Sequence, residues 1–509
     1  MCVPGERQSL KEVDPQMSAR TLRNYVNGRW VEAQSASYLD VENPSTGEII
    51  ARVPLSTSEE TCQAIESAHA AYQSWKDVPV ARRVLYLFEL LSLLRGHEEA
   101  IARTLSEEMG KSLPDARAEL KRVFENIEVA CSMPVLQQGD KLVGSSADID
   151  GEVIRLPMGV FGLLAPFNFP AMVPFWFIPY ALATGNTYVA KPSEQVPCTM
   201  QLITEHMDQA GLPPGVFNLV NGDRTVADAL MDHPLVQGVS LVGSTTTCRQ
   251  VAERCARTNK RFQAMGSAKN HLVVMPDARV EEVVRNMISS CYGCAGQRCM
   301  AASAIVCVGD DTYQAVRDAF VEASADVVVA NPLDPKVADE QMVMGPVIST
   351  KAKKFILGMI DTGVNEGATL ALDGRGLVVD GCEKGHFIGP TVFTEVRPGM
   401  KIHTTEVFGP VVVMLRVGTL DEAIKIINDH QYGNGASIYT PNGYWARRFK
   451  LEVNVGMIGI NVGIPAPVAY LPFGRMKSSQ WSQIKAQGKA VVSFFTEDKI
   501  ITERYWRED

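Results

Sequence analysis

From Met158 onward, short apolar runs alternate with longer amphipathic stretches. Gly159–Ala165, Asn186–Ala190, Gly215–Val220 and Gly238–Val242 read as buried strands, with Thr199–Ala210 and Thr225–Met231 between them as helices. That alternation predicts an α/β chain with a parallel, doubly wound sheet and right-handed crossovers. After Lys269 the pattern restarts. His271–Met275 and Ala304–Val308 read as strands, and Val280–Ser290, Thr312–Ala325 and Thr350–Glu366 as helices. It continues through Pro410–Val417, Leu420–Asp429 and Ser437–Tyr439, so a second α/β unit is expected. At 509 residues the chain has the length for two or three domains.

The flanks follow other patterns. Tyr25–Ala33 predicts a hairpin turning at Asn27-Gly28, and Tyr38–Pro54 a second one turning at Asn43–Gly47. Ser58–Trp75 opens with hydroxyl and acidic residues in a capping pattern. Val80–Met109 predicts one long amphipathic helix with Leu85, Leu87, Leu90, Leu91 and Leu94 on its apolar face. Pro114 opens a third helix, to about Cys131. Gln138–Pro157 breaks the α/β pattern with short alternating runs such as Glu152–Leu156, a β-excursion of the kind that serves contacts between subunits. The tail, Ala490–Ile501, has β character in Val491–Phe495 and is expected to pair with that excursion.

Net charge is −9 and no run of five basic residues is present, which argues against nucleic acid or an anionic membrane as partner. Small molecules suit such a chain better. The 11 cysteines are scattered and odd in number, fitting a reducing compartment, with the cytoplasm as the expected location. Met1–Asn24 lacks the apolar core of a signal peptide and reads as a frayed extension. Val160–Leu182 is the most apolar stretch, but Pro166, Pro170, Pro174 and Pro179 interrupt it, so it is not a membrane span.

Chemistry concentrates in five stretches. Cys291-Tyr-Gly-Cys-Ala-Gly-Gln-Arg-Cys299 follows the helix that ends near Ser290, and Arg298 stands beside the last thiol. A neighbouring cation lowers a thiol pKa, and the thiolate is the nucleophile. An inert, packed cysteine is the alternative on these residues alone. A metal needs a fourth ligand at a set spacing, which does not follow, so none is expected. Leu164-Ala-Pro-Phe-Asn-Phe-Pro170 puts the Asn168 amide at a strand end, suited to an oxyanion hole or to a turn. Val189-Ala-Lys-Pro-Ser-Glu194 can present Lys191 and Glu194 to ribose hydroxyls, or be a solvated pair. Val242-Gly-Ser-Thr-Thr-Thr-Cys248 runs a strand into a helix N-terminus near Ser244, where a phosphate can sit; the chain has no Gly-x-Gly-x-x-Gly. Glu406-Val-Phe-Gly-Pro410 supplies a carboxylate and an aromatic ring before a strand.

Taken together, and in this order, the stretches resemble the NAD-dependent aldehyde dehydrogenase superfamily, from about Tyr25 to Phe495. Gly296-Gln-Arg-Cys-Met-Ala301, Ala268-Lys-Asn-His271, Pro166-Phe-Asn-Phe-Pro-Ala-Met172 and Ile460-Asn-Val462 look most like its CoA-acylating methylmalonate-semialdehyde dehydrogenases. The resemblance implies a Rossmann-type cofactor domain (residues 25–137 and 159–268), an α/β catalytic domain (269–462) and a β oligomerisation segment (138–158 and 480–501) in a dimer or tetramer. It implies Cys299 as nucleophile, with Asn168 and the Cys299 backbone N–H as oxyanion hole. NAD would be held by Ala165, Phe167, Lys191, Glu194, Gln195, Ser244, Gly266, Glu406 and Phe408. Arg122 and Arg298 map onto the pair that binds a substrate carboxylate, and coenzyme A onto the acyl acceptor.

Departures from the family pattern are Cys248, Gln195 and the stretch Gly474-Arg-Met-Lys-Ser-Ser479. Hydrolytic relatives use a glutamate as general base, and that position aligns with Met265; a second glutamate common among them aligns with Tyr470. With both carboxylates replaced, a thiol acceptor is expected to release the acyl group rather than water, a hydrolytic enzyme being the alternative.

Overall fold

The computed structural model describes residues 19–338, 340 and 342–506. Most of the frayed extension expected at the N-terminus lies outside them. Its end is not frayed: Arg20–Thr21 is a strand paired in parallel with Ile49–Pro54, and Asn24 starts another.

Two seven-stranded sheets carry the molecule. In the first, Arg261–Met265, Val236–Val242, Val160–Leu164, Thr187–Lys191 and Phe217–Leu219 lie side by side and parallel. The N-terminal hairpin, Asn24–Val26 with Arg29–Val31, extends this sheet antiparallel. The chain starts in the middle, at Val160–Leu164. It winds outward through Thr187–Lys191 and Phe217–Leu219, then returns to the other side with Val236–Val242. Loops leaving the carboxyl ends of Val160–Leu164 and Val236–Val242 therefore diverge, opening the crevice where α/β sheets bind ligands.

Residues 266–269 cross directly into the second sheet. There Thr391–Thr394, Val411–Val417, Ala302–Val308, Asn270–Val274, Gly435–Tyr439 and Met457–Ile460 are parallel neighbours, with Thr369–Leu372 antiparallel at one edge. Amino ends of these strands lie close to the carboxyl ends of the first sheet, as the short crossover requires. The central strands of both sheets are buried on both faces, hence their unbroken apolar runs.

The third sheet is antiparallel: Asp140–Ser146, Ile149–Pro157 and Thr496–Arg504. It contains the expected excursion and pairs with the tail, but the tail pairs later than expected. Val491–Phe495 forms helical turns, and the strand begins at Thr496. Val491, Val492, Phe494 and Phe495 are all buried in these turns. Phe494 and Phe495 pack on Phe161 at ring distances of 5.4 and 4.8 Å.

Among the helices, Ser58–Trp75 has the reciprocal Thr57–Glu60 capping box. The long helix expected over Val80–Met109 is two, Val80–Gly96 and Glu98–Met109, parted where His97 leaves helical geometry. Leu87, Leu90, Leu91 and Leu94 are buried as expected, whereas Leu85 faces solvent, since its angle around the helix sets it apart from that stripe. Val160–Leu182 is a strand followed by short helical turns, and among the described residues no helix is long and apolar enough to cross a membrane.

Candidate active site

Cys299 is presented by a tight reversal after the Val280–Tyr292 helix. Cys294 and Ala295 adopt left-handed backbone, with φ of 52° and 53°. Side-chained residues pay roughly 1–2 kcal/mol for this. At Gly296 a Cβ would lie 2.2 Å from the Gly409 carbonyl oxygen, so a side chain there has no room. The Cys299 carbonyl then accepts from Asn270 Nδ2 at 2.8 Å and Asn434 Nδ2 at 2.6 Å. These asparagines begin or precede two neighbouring strands of the second sheet, which fixes the Cys299 backbone.

Asn168 approaches from the first sheet. Its Nδ2 donates to the Gln297 carbonyl at 3.0 Å, two residues before Cys299. A buried clamp holds its loop. Lys111 Nζ donates to the Asn168 carbonyl at 2.8 Å and pairs with Glu119, both side chains being fully buried. Glu119 Oε1 in turn accepts from the backbone N–H groups of Ala171 and Met172, each at 2.9 Å.

Cys299 borders two spaces. The wider, a cavity of about 560 Å³, is lined by Arg122, Arg298, Phe169, Met172 and Ile464 besides Cys299. Both arginines expected to bind a carboxylate are thus brought to the thiol's cavity, with different ties. Arg122 Nη1 donates to both Glu125 oxygens and stays partly exposed. Arg298 pairs with Asp115, and its Nε donates to Cys294 Sγ at 3.3 Å. Burial pushes the Asp115 carboxyl up, but Arg298 and Lys111 outweigh it and hold the group below its usual range.

The narrower space runs from Cys299 past Ala268 to Glu406 and Phe408. Glu406 Oε1 accepts from the Ala268 N–H at 2.9 Å, and burial raises its carboxyl above the usual range. Phe408, at a φ of 56°, meets Phe167 edge to face at 5.8 Å. Ala165 N–H donates to the Lys191 carbonyl at 3.0 Å, and Lys191 Nζ lies 3.0 Å from Glu194 Oε2. Ser244 caps the Thr245–Arg257 helix, accepting from the Thr247 N–H, and is itself exposed. A Cβ on Gly266 would meet Thr245 Oγ1 at 2.8 Å, so the absence of a side chain lets this crossover lie against that helix. Of the residues expected to hold NAD, Glu406 and Phe408 line the narrower space, Phe167 packs on Phe408, Ala165 is bonded to Lys191, which pairs with Glu194, and Gly266 lies against the helix that Ser244 caps, whereas Gln195 is exposed. Met265 is buried in the core at the end of its strand, and Tyr470 is exposed.

Sequence reasoning missed Lys111, Asp115 and Asn434; Arg475, whose Nη1 donates to the Gly266 carbonyl, stood in a quoted stretch but was given no role. Asn270 stood in a quoted motif, but nothing local marked it as a support of Cys299. Among the described residues no three His, Cys, Asp or Glu side chains are grouped to hold a metal ion.

The arrangement joins a thiol, an amide donor and a carboxylate-lined crevice, a set suited to covalent capture of a carbonyl. Residues 30–501 match the model of the aldehyde dehydrogenase family. Malonate-semialdehyde dehydrogenase 1 of Geobacillus kaustophilus is 43% identical over 484 residues, covering 95% of this chain and 98% of that protein. A Sinorhizobium meliloti protein assigned as a methylmalonate-semialdehyde dehydrogenase and solved with NAD superposes with a TM-score of 0.94 at 38% identity, over 97% of this chain and 99% of that one. The methylmalonate-semialdehyde dehydrogenase of Oceanimonas doudoroffii does so with a TM-score of 0.93 at 38% identity, over 96% and 99%. The chain belongs to the aldehyde dehydrogenase family.

Proposed function

We propose that the protein oxidises a malonate- or methylmalonate-type semialdehyde with NAD and passes the acyl group to coenzyme A through a thioester on Cys299. The engagement of the carboxylates around Cys299 carries this reading. Glu406 accepts from Ala268, Asp115 holds Arg298, Glu119 holds Lys111 and two backbone N–H groups, and Glu125 chelates Arg122. At position 265 stands a buried methionine. The glutamate base that hydrolytic relatives carry at this position is thus missing, while a thiol acceptor brings its own nucleophile. The relatives named for malonate and methylmalonate semialdehydes supply the substrate class.

The crevice residues fit a dinucleotide. Helix N–H groups beside the exposed Ser244 suit a pyrophosphate, and the Lys191–Glu194 pair and Glu406 suit ribose hydroxyls. NAD, held there, would supply the acceptor for the hydride of the substrate's aldehyde carbon. The Cys299 thiolate attacks the aldehyde carbon, forming a thiohemiacetal. Asn168 and the Cys299 backbone N–H donate to its oxyanion, while Arg122 and Arg298 face the distal carboxylate. After oxidation the thioester carbon is attacked by the CoA thiol, and Cys299 leaves as thiolate. Glu194 disfavours a 2′-phosphate by charge, so NAD is preferred over NADP.

We infer further that residues 25–137 with 159–268 act as the cofactor unit and 269–462 as the catalytic unit. Residues 138–158 and 480–501 contribute to self-association into a dimer or tetramer. The cysteines among the described residues are free thiols, which supports a reducing, cytoplasmic setting.

The test is a product assay with malonate and methylmalonate semialdehydes and NAD, with and without CoA. Acyl-CoA is expected, and without CoA an NADH burst of about one per site, as a persisting acyl-enzyme requires. Cys299→Ala should lose the burst yet bind NAD, and Cys291→Ala should keep most activity. Linear NADH production without CoA, with free acid as sole product, would move the protein to the hydrolytic class.

A further inference from the structure

We propose that Asp115 and Cys294 are positioning residues that lock the Arg298 guanidinium in one plane, so that it meets the distal carboxylate of the substrate in a fixed orientation. This rests on the reading of Arg298 as a carboxylate-binding residue. Three side chains close a ring. Asp115 Oδ1 pairs with Arg298 Nη2, Arg298 Nε donates to Cys294 Sγ at 3.3 Å, and the Cys294 thiol donates to Asp115 Oδ2 at 3.4 Å. The Cys294 N–H donates to the same Asp115 oxygen at 3.2 Å. One thiol thus accepts and donates at once, which requires its protonated form.

The local backbone is shaped for this ring. Cys294 takes left-handed geometry, with a φ of 52°, and both its N–H and its sulfur meet the Asp115 carboxylate. Gly293 makes room for the guanidinium, since a Cβ there would lie 2.3 Å from the central carbon of that group. Asp115 stands in the first turn of the Leu113–Cys131 helix, where the helix dipole favours a carboxylate, and its own N–H donates to the Ser112 cap at 3.2 Å. Burial pushes the Cys294 thiol up, which keeps its proton on, while Arg298 and Lys111 hold Asp115 ionised.

The ring leaves one end of the fork over. Nη1 makes no hydrogen bond among the described residues, and 26% of the Arg298 side chain stays exposed, in the cavity it shares with Arg122 and Cys299. An arginine held in place beforehand is spared the loss of side-chain freedom when an anion binds. Its planar fork then favours a carboxylate at one distance from the thiol. Charge alone predicts the opposite effect of Asp115, because a second carboxylate near the site repels an anionic substrate. The two accounts therefore differ in sign.

The experiment compares steady-state kinetics of the full-length enzyme on malonate semialdehyde and on propanal, which has no carboxylate. Asp115→Asn and Cys294→Ala should each lower kcat/KM for malonate semialdehyde about three- to tenfold, chiefly through KM, as the ordering of one long side chain implies. The ratio between the two substrates should fall with it. Cys294→Ser, which can still donate and accept, should recover much of that ratio. Cys294→Ala leaves the charges in place and carries the test should Asp115→Asn not fold. Equal losses on both substrates would overturn the proposal and make the ring structural. A gain on malonate semialdehyde in Asp115→Asn would overturn it too, leaving Asp115 a counter-charge. Failure of the underlying reading shows separately, as a substrate ratio that Arg298→Gln leaves unchanged.

Discussion

Arg122 and Arg298 share the Cys299 cavity, Arg122 paired with Glu125 and Arg298 with Asp115. A charge-assisted bond to a carboxylate contributes roughly 1.5–3 kcal/mol. Arg122→Ala should therefore lower kcat/KM for a semialdehyde acid about 10- to 100-fold while sparing propanal. Equal losses with both substrates would mark the Arg122–Glu125 pair as a structural one. The residues legible from sequence, such as Cys299, Asn168, Ser244 and Glu406, sit in compact local motifs. Those that escaped notice act across the chain: Lys111 reaches Asn168 over 57 positions, Asn434 reaches Cys299 over 135, and Arg475 reaches Gly266 over 209. Sequence order carries no sign of such pairs.

The Leu113–Cys131 helix does several tasks with one face. Asp115, Glu119 and Arg122 recur at helical spacing and line the cavity together. Glu119 couples this helix to the Asn168 loop, so the proposed oxyanion donor depends on an element far from it in sequence. Glu119→Gln leaves the Lys111 charge buried and unpaired, which costs about 3–5 kcal/mol. Urea unfolding should show that loss, and kcat should fall with little change in the KM for NAD. A kcat that holds while stability drops would separate the clamp from the loop's geometry. Two element expectations failed for related reasons. The apolar period ran through His97 although the backbone turns there, and Val491–Phe495 looked like a strand because a short buried run of β-branched and aromatic residues reads alike as a strand or as the helical turns it forms.

Between the second sheet and the Glu406 loop, His271, His403 and His430 pack ring against ring at 5.2–5.3 Å. Burial pushes His403 down to about 3, His430 to about 4, and His271 well below its ordinary value. Above about pH 6.5 these groups are neutral folded or unfolded and have no effect. Below it the unfolded chain binds protons that the folded one excludes, so stability falls as pH drops. Each such histidine adds about 1.4 kcal/mol per pH unit to that slope. Glu108, raised to about 7 by burial, works the other way, losing stability as pH rises from its ordinary value toward 7. His403→Asn should flatten the acid limb between pH 6 and 5 by about 1.4 kcal/mol per unit, measured from urea midpoints. An unchanged slope would mean that the trio opens to water in the folded state. At the third sheet, Leu142, Val143 and Ile500 are exposed on paired strands. Truncation after Phe495 removes the strand paired with Ile149–Pro157 and bares its edge. Sedimentation should then show a smaller oligomer or aggregation, and an unchanged oligomer would place the subunit contact elsewhere.

Strand–helix alternation settled the α/β class and the two parallel sheets, because a strand buried on both faces must be apolar throughout. The residues of the Cys299 turn, the Asn168 loop and the Ser244 cap were legible too, since each is a short motif with its own backbone geometry. Which side chains surround the thiol was decided by folding. The Lys111–Glu119 clamp, the Asp115 tie on Arg298 and the buried Arg475 arise where two sheets bring carboxyl and amino strand ends together. Charge and hydrogen-bond partners in such a crevice depend on distance in space, and one-dimensional spacing does not encode it.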